Sequence, residues 1–121
     1  MPVNGVIGTY TRPQYEETVI APGHPGPVRN LVVKTGQGVL KKGLIVAKDA
    51  SGLIVPYDPA GTDPVNKPVG VLFDGVDTDR VDVAPVIVHG TVYRNRLLVG
   101  ENEPSADDLA ALEAITIWPV G

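Results

Sequence analysis

The sequence predicts an α+β domain that is mostly β, a small body of short strands with one short C-terminal helix and an extended N-terminal arm. Fourteen glycines and twelve prolines make up about a fifth of the 121 residues, against roughly 12% in average chains, so turns are frequent. Short apolar runs recur between glycine-containing polar reversals, which is the pattern of strands. Only one stretch, near Ala106, joins a capping pair to a run of good helix formers. Apolar residues at 43% supply a core, and a chain of this length folds as one domain, burying roughly two-thirds of its unfolded surface without disulfides or metal.

Residues 1–27 read as the arm. Val3, Val6 and Ile7 are interspersed with Gly5 and Gly8, and Thr9-Tyr10-Thr11-Arg12-Pro13-Gln14-Tyr15 leads to Glu16-Glu17-Thr18-Val19-Ile20. That spacing supports no helix, and Pro22, Pro25 and Pro27 hold the chain extended and isolate what precedes them. Thr, Tyr, Val and Ile are strand formers able to pair with a sheet edge on another protein.

Residues 28–121 read as the body. Leu31-Val32-Val33, Val39-Leu40, Leu44-Ile45-Val46-Ala47 and Leu53-Ile54-Val55 are strand segments, separated by the reversals Lys41-Lys42-Gly43 and Asp49-Ala50-Ser51-Gly52. A proline-rich loop spans Pro56 to Pro68. Val69 to Phe73 forms a further strand and Ala84 to Tyr93 a longer one, with Pro85 near its start, where a missing amide hydrogen matters least. Ser105 and Asp108 make a capping-box-like pair, Asp107 and Asp108 favour the positive end of a helix dipole, and the helix is expected from Ala106 to Ala114. Ile115-Thr116-Ile117-Trp118 returns to strand.

Composition excludes several functions. No apolar run approaches the ~20 residues that span a bilayer, and the amino terminus has no basic stretch leading into an apolar one, so the protein is expected to be soluble and unsecreted. The absence of cysteine rules out thiol catalysis and thiolate zinc sites. A net charge of -4 argues against a nucleic-acid partner. The charge is uneven, however, because residues 1–48 carry six Lys/Arg against Glu16 and Glu17, and residues 49–121 carry four against twelve Asp/Glu.

No motif supplies catalysis. The acidic run Asp74 to Asp82 fails as a calcium loop, since counting from Asp77 puts Asp82 where an EF-hand needs glycine and Val88 where it needs glutamate. An inter-strand turn accounts for it. Ser51 and Ser105 lie in a turn and at a helix cap, His89 reads as a structural histidine, and Gly36-Gln37-Gly38 lacks the rest of a dinucleotide fingerprint. Val33 to Val46 has the glycine spacing of a lipoyl or biotinyl carrier hairpin, without the lysine context of one. No enzyme, cofactor, metal or small-molecule substrate is expected.

Three segments carry a family resemblance: Gly38 to Val46, Lys67 to Asp77 and Ala84 to Val92, in that order, the last two being the most specific. On them the chain, over about residues 28–118, resembles the lambda-type head decoration proteins of tailed bacteriophages. The resemblance implies a non-enzymatic homotrimer made in the host bacterial cytoplasm. It would sit on the outer surface of the expanded virion head at three-fold and quasi-three-fold positions and stabilise it against internal DNA pressure. It also implies that the arm adds a strand to the major capsid protein, with Val3, Val6, Ile7, Tyr10, Tyr15, Val19 and Ile20 as the capsid-binding residues. The alternative is a small β-rich surface module binding carbohydrate or a receptor, which a solvent-facing row of Trp and Tyr would favour; Trp118 instead reads as core or trimer contact.

Overall fold

A computed structural model describes residues 19–20 and 27–121. The strands are β1 (Val28–Val32), β2 (Val39–Leu40), β3 (Ile45–Lys48), β4 (Ile54–Pro56), β5 (Gly70–Leu72), β6 (Val76–Asp77), β7 (Val83–Ile87), β8 (Gly90–Tyr93) and β9 (Ile117–Val120). A helix, α1 (Ala106–Glu113), lies between β8 and β9. The expected α+β class, rich in β structure with one short helix near the C-terminus, is the class observed.

Five strands form an antiparallel sheet in the order β1-β7-β5-β3-β4. The sheet curls until its first and last strands meet, for Val33 bridges Ile54 and the Lys34 amide donates to the Ile54 carbonyl at 3.0 Å. Period-two alternation then sends side chains into two different cores. Val46, Leu72, Ala84 and Val86 point inward with Leu40, Leu44, Ile54 and Val76, while Ile45, Ala47, Val71 and Ile87 point outward. Outside, α1, β8–β9 and the β8–α1 connection cover them with Leu112, Ile117, Val92 and Leu97.

The reversals lie where the sequence puts them. Asp49 closes one by accepting from the Ser51 and Leu53 amides at 2.9 and 3.0 Å, with Gly52 at φ +84. Gly43, at φ +86, brings the β2–β3 turn so close to the β8–α1 connection that a Cβ there would lie 2.0 Å from the Arg96 carbonyl oxygen. The Leu98 amide in turn donates to the Gly43 carbonyl at 3.0 Å. In the acidic run, Thr78 is fully buried and its hydroxyl accepts from the Gln37 amide at 2.8 Å and donates to the Gly38 carbonyl at 2.7 Å.

The Ser105–Asp108 capping box forms as expected. The Ser105 hydroxyl accepts from the Asp108 amide at 3.1 Å, and an Asp108 carboxylate oxygen accepts from the Ser105 amide at 2.9 Å. The carboxylate also accepts, from the Tyr57 hydroxyl at 2.8 Å, and both side chains are buried, so the proline-rich loop is tied to the helix start. Burial pushes the Tyr57 hydroxyl up to about 12, assisted by the Asp108 carboxylate. Burial also raises Asp108, but its hydrogen bonds from Ser105 and Tyr57 outweigh that and hold the carboxyl below its ordinary range.

Two expected strands are corrected. The stretch Ala84 to Tyr93 is two strands, because the chain turns at Val88–His89 and Gly90 takes φ +114, which few side chains tolerate. The last strand begins at Ile117 instead of Ile115, because Thr116 sits at φ +66 in the turn that ends the helix.

Val19 and Ile20 are tied to the body. It is fully buried in the outer core with Val92, Leu112 and Ile117, its carbonyl accepts from the Tyr93 amide at 2.8 Å, and Ile20 bridges Val92. Val19 is thus a core residue of the body, and Ile20 packs against the same core.

Four outcomes are expected from these contacts. Tyr57→Phe loses a hydrogen bond to a buried carboxylate and costs about 1.5–3 kcal/mol in urea unfolding. Because the folded-state Tyr57 pKa is raised, its stabilisation is complete below pH 10 and fades between pH 10 and about 12. The excess fall in Tm of the wild type over that range should therefore vanish in Tyr57→Phe. Gly43→Ala combines a positive φ with a backbone clash and is expected to lower stability by on the order of 3 kcal/mol or more by denaturant titration. Val19→Asp buries an unpaired carboxylate and should cost more than about 3 kcal/mol, whereas a substitution on a peripheral arm would leave Tm unchanged.

Candidate functional site

β8 organises the surface where residues 19–20 join the body. Thr91, Val92 and Tyr93 are strand formers, and Val92 is buried while its neighbours face partly outward. One side of β8 receives Ile20 antiparallel; the other carries β9 in parallel register, Ile117 with Gly90, Trp118 with Thr91 and Val120 with Tyr93. Parallel pairing requires a crossover, and α1 provides it.

The outward residues of this ribbon are His89, Thr91 and Tyr93 beside Trp118 and Val120, the last two 37% and 38% exposed. Trp118 is thus neither core nor part of a tryptophan row; His89 packs against it edge-on, ring centroids 5.4 Å apart. His89 is held from the other side by Thr116. His89 Nδ1 and the Thr116 hydroxyl share a hydrogen bond at 2.8 Å, and the Thr116 hydroxyl also lies against the Ile115 carbonyl. The Gly90 amide donates to the Thr116 carbonyl at 2.9 Å, which locks the left-handed turn against the start of β8. Arg94 reaches the carbonyl of Gly121 across the far end of the ribbon.

Of the seven residues expected to bind the capsid, Val3, Val6, Ile7, Tyr10 and Tyr15 lie outside the described residues. Val19 and Ile20 are brought together on the β8 edge. Strand-forming character was the correct signal at Val19 and Ile20, but their partner is β8 of the same chain, more than seventy residues away in sequence. The buried Tyr57–Asp108 pair and Thr78 carried no local signal of their long-range roles. Among the described residues, no three His, Cys, Asp or Glu side chains are grouped to hold a metal ion.

The geometry is that of a structural surface: a paired ribbon, an aromatic anchor and a fixed entry point for the chain. No curated protein sequence matches the chain significantly. The family model for the bacteriophage lambda head decoration protein D matches residues 9–117, which includes the entry point, both cores, the crossover helix and the first residue of β9. The chain therefore belongs to the bacteriophage lambda head decoration protein D family, a structural family whose members occupy the surface of the phage capsid.

Proposed function

We propose that this protein is a cementing protein that binds as a homotrimer to the outside of the expanded head. It sits at three-fold and quasi-three-fold positions and resists the outward pressure of packaged DNA. The segment preceding Val19 adds a strand to the major capsid protein through Val3, Val6, Ile7, Tyr10 and Tyr15.

The observation that supports this reading most is the anchorage at Val19–Ile20. The chain enters the body with a buried side chain and in backbone register with β8, so a strand-prone segment beyond it is tethered to a rigid point. Backbone hydrogen bonds to a capsid edge give such a segment affinity, and alternate side chains give it register. Each copy binds weakly because ordering the segment costs entropy. Three segments on one trimer act together, and their effective concentration turns modest contacts into a clamp without any turnover.

Co-sedimentation tests the reading with expanded and unexpanded heads and two proteins, the full chain and one lacking residues 1–18. The full chain should pellet with expanded heads at micromolar concentration and hardly at all with unexpanded ones. The shortened chain should keep its Tm and lose most of the binding. Equal pelleting of both proteins would remove the segment from the mechanism, and a full chain that ignores capsids but is retained on a glycan array would establish the surface-module alternative.

A further inference from the structure

The outer core has an open margin beside the entry point of the chain. A pocket of about 430 Å³ lies between the β8–α1 connection and the start of α1, with Leu97, Pro104 and Leu109 as its apolar wall and the exposed Arg94 and Glu103 at its rim. Leu97 is buried in the same core as Val19, and Leu109 packs against that core. The pocket therefore continues the surface into which Val19 is sunk.

The direction of the chain brings its own residues to this pocket. Ile20 bridges Val92 in antiparallel sense and the Val19 carbonyl accepts from the Tyr93 amide. Residues before Val19 are thus fed toward Arg94, the next residue after Tyr93 and the first to line the pocket. An extended stretch of four residues spans about 13 Å, enough to carry Tyr15 across it. Alternation in such a stretch puts Tyr15 and Glu17 on the side of Val19, which faces the core.

The chemistry of the segment matches that of the pocket. Tyr15 offers a ring for Leu97, Pro104 and Leu109 and a hydroxyl donor for the Glu103 carboxylate. Glu16 and Glu17 are the only two acidic residues of residues 1–48, and Arg94 and Arg96 place two positive charges where they leave the body. The Gly121 carbonyl takes one of the five N–H donors of Arg94, and the others can serve a carboxylate.

We propose that in the free protein this pocket is occupied by the chain's own Tyr15, clamped by Glu17 on Arg94. The contact belongs to the protein off the capsid and holds whether or not the capsid reading does. A strand added to a capsid edge through Tyr15 would have to draw that side chain out, so the pocket and the capsid compete for it. The contact is local and opens well before the body melts, so a chain without it keeps its Tm.

Hydrogen exchange of the full chain without capsids, read by mass spectrometry at the Glu16 and Glu17 amides, tests this, with circular dichroism confirming that each variant is folded. In the wild type these amides should exchange roughly tenfold more slowly than in an unstructured chain. Tyr15→Ala and, independently, Arg94→Glu should return them to the unstructured rate, while Tyr10→Ala should not. The double variant Arg94→Glu with Glu17→Arg should regain the protection. Exchange at the unstructured rate in the wild type overturns the proposal. Protection that survives both Tyr15→Ala and Arg94→Glu overturns it too, as does protection that appears only as concentration rises, which would put the segment on another copy.

Discussion

Burial of the five-stranded sheet on both faces is the constraint on which the rest of the structure depends. The curled sheet buries aliphatic side chains on its inner face, Val46, Ile54, Leu72, Ala84 and Val86 among them, and these supply one core. The other face must be roofed, and the crossover helix with β8 and β9 does so. Because β3 alternates strictly between the two, a one-residue register slip would exchange Val46 with Ile45 and Ala47 and misfill both cores at once. Gly70 shows how closely the strands are fitted: a Cβ there would lie 2.4 Å from a Val86 methyl and 2.6 Å from the Ile87 carbonyl oxygen.

That roof also determines where function can sit. It leaves the Val83 end of the sheet bare and gives β8 two neighbours, one of them supplied by Val19–Ile20. The molecule consequently has one surface organised around the entry of the chain, at the end of β7 away from Val83.

Local chemistry was legible in the sequence and long-range partnership was not. The Ser105–Asp108 capping box, the Asp49–Gly52 reversal and a strand over the Leu44-Ile45-Val46-Ala47 run are decided within a few residues, and each formed as read. The Tyr57–Asp108 bond joins residues 51 apart and no periodicity announces it. The break at Gly90 was hidden because Val88, His89, Thr91 and Val92 look like uninterrupted strand, and the late start of β9 because Thr116 takes a conformation that β-branched residues rarely adopt. Of the candidate site, the strand-forming character of Val19–Ile20 was visible, while the identity of the edge that accepts it depended on the fold.

The parallel pairing of β8 with β9 has a mechanical consequence. A pull on the chain at Val19 enters the body through the Tyr93 amide and runs along β8, whose other side is laddered to β9 over four residue pairs. Load applied along a strand shears its hydrogen bonds together, whereas load applied across it would unzip them singly. A pull at Val19 must first break the Tyr93–Val19 hydrogen bond and the Ile20–Val92 bridge and draw Val19 out of the core, so the entry point yields before the β8–β9 ladder does.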